Sequence, residues 1–293
     1  MPDFANTPLL VTGASGHLGR IAVEELLARG ATRIIAGTRN PDGLADLAAR
    51  GVEIRHVDFD APSGLVPAFA GIERLLLVST DGIGKRLAQH QAAIEAARTA
   101  GVQHLVYTSA PAARPNFDAG LGGEHFWTEV ALAASGLDFT VLRNHMYAEN
   151  TLLDGPQALA SGQLFGLIGD RGTSYVARAD AGRAAAGALL AATGKSIEDV
   201  TGPAPVTNVE RAAILAELTG RPVAALALTA AQLKAGMVAG GIPEGYAEAL
   251  LAFQRDAVSG HHAVVTDAVE RLTGRRPQAF RDALAAHRDA LLG

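Results

Sequence analysis

The stretch that most restricts this chain is Pro8-Leu9-Leu10-Val11-Thr12-Gly13-Ala14-Ser15-Gly16-His17-Leu18-Gly19. A short apolar run, read as a buried strand, ends in glycines at G-x-x-G-x-x-G spacing. A helical stretch from about His17 to Arg29 follows. Gly13 permits the tight turn out of the strand, Gly16 lets backbone approach a pyrophosphate, and Gly19 lets the helix lie close to the sheet. The helix start then offers free N–H groups and a positive dipole end to phosphates. Glycines also serve ordinary turns. Their place between a first strand and a helix is what makes this a dinucleotide loop.

The rest of the chain agrees. Strand-like runs at 33–37, 52–57, 75–78, 105–108 and 139–142 alternate with helical stretches, notably 87–100 and 124–134. Such alternation predicts right-handed βαβ units and an α/β fold, a Rossmann doubly wound parallel sheet covered on both faces. After about Asn150 helices dominate, with short strand-like pieces near 175–177, 200–202 and 223–228, a turn at 240–243, and a last helix after Pro277. The expected division is a dinucleotide-binding domain over 1–150, to which 178–203 returns. A smaller, mostly helical lobe over 151–177 and 204–293 covers the sheet's C-terminal edge.

Composition narrows the function. The 293 residues are 48% hydrophobic and 19% charged, enough for a sizeable core. Net charge is −5, and Lys85, Lys195 and Lys234 are the only lysines. No basic stripe for nucleic acid can form from these. There is no cysteine, which removes disulfides, thiolate nucleophiles and Cys-ligated metals. Met1-Pro2-Asp3-Phe4 lacks the basic start and apolar stretch of a signal peptide, and no apolar run reaches membrane-spanning length. A cytoplasmic protein is expected.

The end of the second strand bears on the cofactor. An NAD site carries an acid there for the ribose 2′-hydroxyl. This chain has Ala36-Gly37-Thr38-Arg39-Asn40. A carboxylate repels a 2′-phosphate, whereas Arg39 can pair with it, so NADP(H) is expected over NAD(H). The alternative is a solvated surface arginine. Ser15, His17 and Leu18 belong to the phosphate loop. Asp58 and Phe59, after strand three, are placed toward the adenine. Ser79 and Thr80, after strand four, and Thr108 and Ser109, after strand five, are placed along the dinucleotide.

These residues resemble the NmrA-like atypical short-chain dehydrogenases, and more closely the bacterial NADPH:quinone oxidoreductases of that group. Besides the glycine loop, the carrying motifs are Gly37-Thr38-Arg39-Asn40-Pro41, 101–109, Glu124-His125-Phe126-Trp127-Thr128-Glu129, 135–144, Tyr147-Ala148-Glu149-Asn150 and Arg178-Ala179-Asp180. They cover nearly the whole chain. One departure stands in the pocket wall: the group usually has Gly-Trp-Tyr where this sequence has His145-Met146-Tyr147. The resemblance implies NADPH-dependent hydride transfer to a quinone or similar electron-poor conjugated acceptor, without flavin or metal. It leaves a homodimer open.

Ordinary short-chain dehydrogenases need a Tyr-x-x-x-Lys pair. The residues four beyond Tyr107, Tyr147, Tyr175 and Tyr246 are Pro111, Thr151, Ala179 and Leu250, so no pair exists. If Glu129 matches the helix Glu of extended members, the Lys slot holds His125 and the Tyr slot Leu121. Ketone reduction makes an alkoxide and needs a positioned acid. Quinone reduction makes a phenolate, which water or His125 can protonate.

The catalytic candidates are His125, Asn144 and Tyr147, with His125 and Asn144 also candidates for the cofactor. Each has a structural alternative: a helix-start residue, a strand-end cap, lobe packing. His125 and Glu129 at i, i+4 lack a third metal ligand. Trp127 is expected in the core and His261-His262 at the surface. The acceptor pocket is expected beside His125, Asn144, His145, Tyr147 and 242–246. The same fold also serves non-catalytic NADP(H) sensors that bind a regulator, so fold alone does not decide the function.

Overall fold

The computed structural model describes residues 6–82, 84–115 and 121–293, without the side chain of Leu121. The N-terminal start at 1–4 lies outside the described residues. The elements run β1 (Leu9–Val11), α1 (His17–Ala28), β2 (Ile34–Thr38), α2 (Ala45–Ala48), β3 (Glu53–His56), α3 (Leu65–Phe69), β4 (Arg74–Leu77), α4 (Arg86–Thr99), β5 (His104–Ser109), α5 (Leu121–Ala134) and β6 (Asp138–Asn144). They continue as α6 (Thr151–Ser161), β7 (Gln163–Gly166), α7 (Arg178–Ala191), β8 (Lys195–Val200), α8 (Asn208–Thr219), β9 (Ala224–Ala227), α9 (Ala230–Ala239), α10 (Glu244–Val258), α11 (Ala268–Thr273), α12 (Phe280–Ala285) and α13 (Arg288–Leu292).

Seven strands form one sheet in the order β3-β2-β1-β4-β5-β6-β8. The pairings from β3 through β6 are all parallel. This is the doubly wound Rossmann arrangement, and the strand order reverses between β1 and β4. The strands β1, β2, β4 and β5 are buried along their whole length. That burial explains why they read as continuous apolar runs rather than alternating ones. On the edge, β3 exposes both its end residues.

The chain divides into two compact units. The first comprises Met1–Arg143, Arg178–Val200 and Ala268–Arg275. Its core joins Leu10, Ile35, Leu75, Leu77, Leu105, Tyr107 and Val141 of the sheet to Leu65, Phe69, Ala93, Ala97 and Leu132 of the helices. The glycines of α7 allow close packing: a Cβ on Gly182 would lie 2.5 Å from Ile21 Cγ2 of α1, and one on Gly187 would lie 2.0 Å from the Leu272 carbonyl oxygen of α11. The buried Arg74 of β4 donates to the Leu189 and Ala192 carbonyls at the end of α7, satisfying acceptors that a helix end leaves open.

The second unit comprises Asn144–Ala177, Thr201–Asp267 and Arg276–Gly293. It is helical apart from a two-stranded parallel sheet of β7 and β9. The strand-like piece at 175–177 makes only an isolated bridge, Tyr147 to Val176. Two expectations fail locally. His262 is 1% exposed, its ring packed on Phe253 and His145. Trp127 is 39% exposed, because α5 buries the stripe His125-Thr128-Glu129-Leu132 at i, i+3, i+4, i+7 and turns Trp127 and Val130 outward. Among the described residues no helix is long and apolar enough to cross a membrane.

Candidate active site

In an open parallel sheet, ligands bind outside the carboxyl ends of the strands where strand order reverses, here beyond β1 and β4. Thr12 ties those ends together. Its hydroxyl donates to the Leu76 carbonyl at 3.1 Å and accepts from the Val78 N–H at 3.0 Å. The chain then turns through Gly13, at φ 61°, a left-handed conformation that suits glycine. A Cβ on Gly19 would sit 2.3 Å from the Gly13 carbonyl oxygen, so only glycine lets α1 start this close to the loop. Gly16 caps α1 in extended conformation, and among the described residues no side chain caps the first turn. These donors remain for an anion at the helix start. The loop is pinned to β2 as well: Ala14 N–H donates to the Gly37 carbonyl at 3.0 Å, and the Thr38 hydroxyl donates to Ser15 Oγ at 3.0 Å.

Arg39 follows β2, is exposed, and makes no ion pair among the described residues. Half-buried Asp58 accepts from the Asp60 N–H at 3.0 Å, which fixes its carboxylate at the strand end. Phe59 packs against the core. Past β4, the Ser79 N–H donates to Thr108 Oγ1 at 2.8 Å and the Thr80 hydroxyl donates to Gln89 at 2.6 Å. Ser109 is buried and already committed, its hydroxyl donating to Glu129 Oε1 at 2.6 Å. The same carboxylate is gripped by Arg143 at 3.0 and 2.6 Å.

His125 sits in α5, 7% exposed, with Nδ1 2.7 Å from the Tyr107 hydroxyl. Burial, reinforced by Arg86 and His90, holds its pKa well below the usual histidine value. The ring is therefore neutral in neutral solution and is not an acid poised near pH 7. His90 lies beside it at 5.2 Å from the Tyr107 ring, and burial pushes its pKa down to about 3. In the second unit, Asn144 Nδ2 donates to the Tyr147 hydroxyl at 3.1 Å, while the buried Asn144 Oδ1 has no hydrogen-bond partner among the described residues. The structure thus joins Asn144 to Tyr147 and His125 to Tyr107. Sequence reasoning gave no site role to Tyr107 and Thr128, which lie inside the resemblance motifs, nor to His90 and Arg86, which lie in none. Among the described residues no group of three His, Cys, Asp or Glu could share a metal ion.

Residues 13–191 match the NAD(P)H-binding family. The chain belongs to that family. It is 37% identical over 245 residues to quinone oxidoreductase 2 of Escherichia coli, covering 83% of this chain and 85% of that one. It is 30% identical over 283 residues to an NAD(P)H azoreductase of Xenophilus azovorans, covering 95% and 97%. Its structure matches that of an NADPH-dependent quinone oxidoreductase of Escherichia coli complexed with NADPH, with a TM-score of 0.89, 33% identity and coverage of 95% and 99%. An NmrA-like oxidoreductase of Aspergillus flavus is also a relative, in keeping with the resemblance carried by 124–129 and 135–144. Within the NAD(P)H-binding family this chain is an oxidoreductase of the NmrA-like group.

Proposed function

We propose that this oxidoreductase uses NADPH to reduce a quinone or a similarly electron-poor conjugated acceptor. Gly13, Ser15, Gly16, His17, Leu18 and Gly19 hold the pyrophosphate, and Arg39 holds the 2′-phosphate. Asp58 and Phe59 flank the adenine, and Ser79, Thr80 and Thr108 line the dinucleotide. The glycine cradle fits that group, since a loop already crowded at Gly19 leaves open first-turn donors at Gly16. When bound, the dinucleotide supplies a hydride to the acceptor.

The single observation that carries the acceptor class is the state of His125. It stands in the slot where a lysine would assist a tyrosine acid, and burial keeps it neutral. Among the described residues none there supplies the positioned acid that an alkoxide product requires. A hydroquinone anion is a phenolate, with a conjugate-acid pKa near the ~10 of tyrosine, and water protonates it. Asn144 and Tyr147 bind and orient the acceptor. Ser109 and Glu129 serve as support, because their polar atoms are spent on each other and on Arg143.

The test is NADPH oxidation against quinones, azo dyes and triarylmethane dyes, without added flavin, beside NADP⁺ reduction with secondary alcohols. Quinone-dependent oxidation with no alcohol oxidation is expected. Flat traces with every acceptor despite measured NADPH binding would overturn the reading, as would efficient alcohol oxidation.

A further inference from the structure

Two buried histidines flank Tyr107, and their hydrogen bonds fix opposite tautomers. His90 Nε2 accepts from the Thr80 N–H at 3.1 Å, so its ring proton sits on Nδ1, which faces Thr128 Oγ1 at 3.1 Å. Thr128 in turn donates to the Glu124 carbonyl at 2.8 Å. At His125 the arrangement inverts. Tyr107 is fully buried, and among the described residues its hydroxyl lies closest to His125 Nδ1, at 2.7 Å; the Thr128 hydroxyl also bears on it but already takes the His90 Nδ1–H and gives its own proton to the Glu124 carbonyl. If Nδ1 carried the proton, the tyrosine hydrogen would be left to the Thr128 oxygen that already accepts from His90, and the short 2.7 Å bond would have to run the other way. With Tyr107 donating, both groups are satisfied and the imidazole proton moves to Nε2. Burial raises the Tyr107 pKa well above the ordinary value, so the donor proton stays in place.

Among the described residues no protein atom takes the His125 Nε2–H. Tyr107 pairs in register with Leu77, the last residue of β4, which sets the pair near the carboxyl edge where this fold binds ligands. Resting on the reductase reading above, we infer that Tyr107 is a positioning residue that locks His125 as a neutral Nε2–H donor to an oxygen of the bound ligands. That oxygen belongs either to the dinucleotide or to the acceptor. The donor lends a hydrogen bond and keeps its proton. No proton leaves the protein, and the product takes its proton from water.

The groups facing His125 all favour the neutral ring or leave it unchanged. Arg86 and His90 of α4 oppose a positive charge, and Tyr107 of β5 donates to Nδ1. Glu124 of the same helix is engaged by the Gly84 N–H and Arg86, and Glu129 by Ser109 and Arg143. The donor is therefore present at any pH from about 6 to about 8.

Long-range ¹H–¹⁵N correlation spectra of the labelled full-length protein test the assignment, with His125→Gln identifying the signals. The expected result is His125 as a neutral Nε2–H tautomer and His90 as a neutral Nδ1–H tautomer over about pH 5.5 to 8. Titration with NADP⁺ alone shifts the His125 Nε2 signal if the oxygen is the dinucleotide's. A shift only after a quinone is added assigns it to the acceptor. Tyr107→Phe should give mixed His125 tautomers and about a 3–10-fold lower kcat, the scale of one neutral hydrogen bond. His125→Gln, which keeps an N–H, should retain more activity than His125→Leu, which should lose about 10–100-fold. An Nδ1–H form of His125, a titration near 6.5, or a signal unmoved by both ligands would overturn the inference. If no acceptor supports NADPH oxidation, the reductase reading falls, and the spectra and the NADP⁺ titration still judge Tyr107.

Discussion

Arg143, near the end of β6, holds Glu129 of α5 through two parallel hydrogen bonds of 3.0 and 2.6 Å, and Ser109 of β5 adds a third at 2.6 Å. Three elements meet at one carboxylate that is 6% exposed in its side chain. Removing the cation leaves the carboxylate buried and charged, which costs more than the pair itself is worth. Arg143→Met should lower the stability by about 2–4 kcal/mol in urea unfolding. An unchanged midpoint would show that the pair is not what joins these elements.

Arg39 bears on cofactor choice. Wild type should bind NADPH more tightly than NADH. Arg39→Asp removes a charge-assisted pair and adds repulsion, so NADPH affinity should fall by about 1–3 kcal/mol while NADH is affected little. Fluorescence titration of both nucleotides decides it, and equal wild-type affinities would count against the 2′-phosphate assignment.

The loop glycines should separate binding from folding. A Cβ at Gly16 meets only the Gly13 carbonyl oxygen at 3.3 Å, whereas one at Gly19 would lie 2.3 Å from it. Gly16→Val should therefore stay folded by circular dichroism and lose NADPH binding. Gly19→Val should lose thermal stability as well. Normal binding by folded Gly16→Val would move the phosphate site elsewhere.

Buried neutral histidines give stability a definite pH dependence. The folded-state pKa of His90 is pushed down to about 3 and that of His104 to about 4, both chiefly by burial. The unfolded chain takes up these protons near ~6.5 and the folded chain does not, so stability is complete above that pH and falls as pH drops toward 3–4. At pH 5, His90 alone should cost about 2 kcal/mol relative to neutral pH. Melting temperatures from neutral pH down to pH 5 should decline, and less steeply in His90→Gln. A flat profile would mean that these rings are protonated in the fold.

Much of the fold was legible because its signals are local. The strand-loop-helix of 9–28 needs only chain-neighbour sterics: a turn at Gly13, a close contact at Gly19, an open helix start at Gly16. The buried strands announced themselves as apolar runs, and Arg39 follows β2 in plain sequence. The face of α5 was hidden, because its buried stripe carries His125, Thr128 and Glu129 while Trp127 and Val130 face outward. Hydrophobic periodicity misleads wherever a helix buries polar groups that bond to one another. His262 misled in the same way, since polar side chains are read as exposed until their packing partners are known.

The sequence by itself determined the parallel sheet, the glycine-rich strand-loop-helix and the absence of a Tyr-x-x-x-Lys pair. Each depends on residue type and short spacing. Tertiary structure alone decided what surrounds His125, a buried pocket in which Tyr107 lies 2.7 Å from its Nδ1. That outcome depends on Tyr107, 18 residues away in the chain, and on His90, Thr80 and Arg86 from other elements. A histidine's tautomer and charge follow from the donors, acceptors and dielectric around it, and no spacing rule encodes a surrounding that the fold assembles from separate strands and helices.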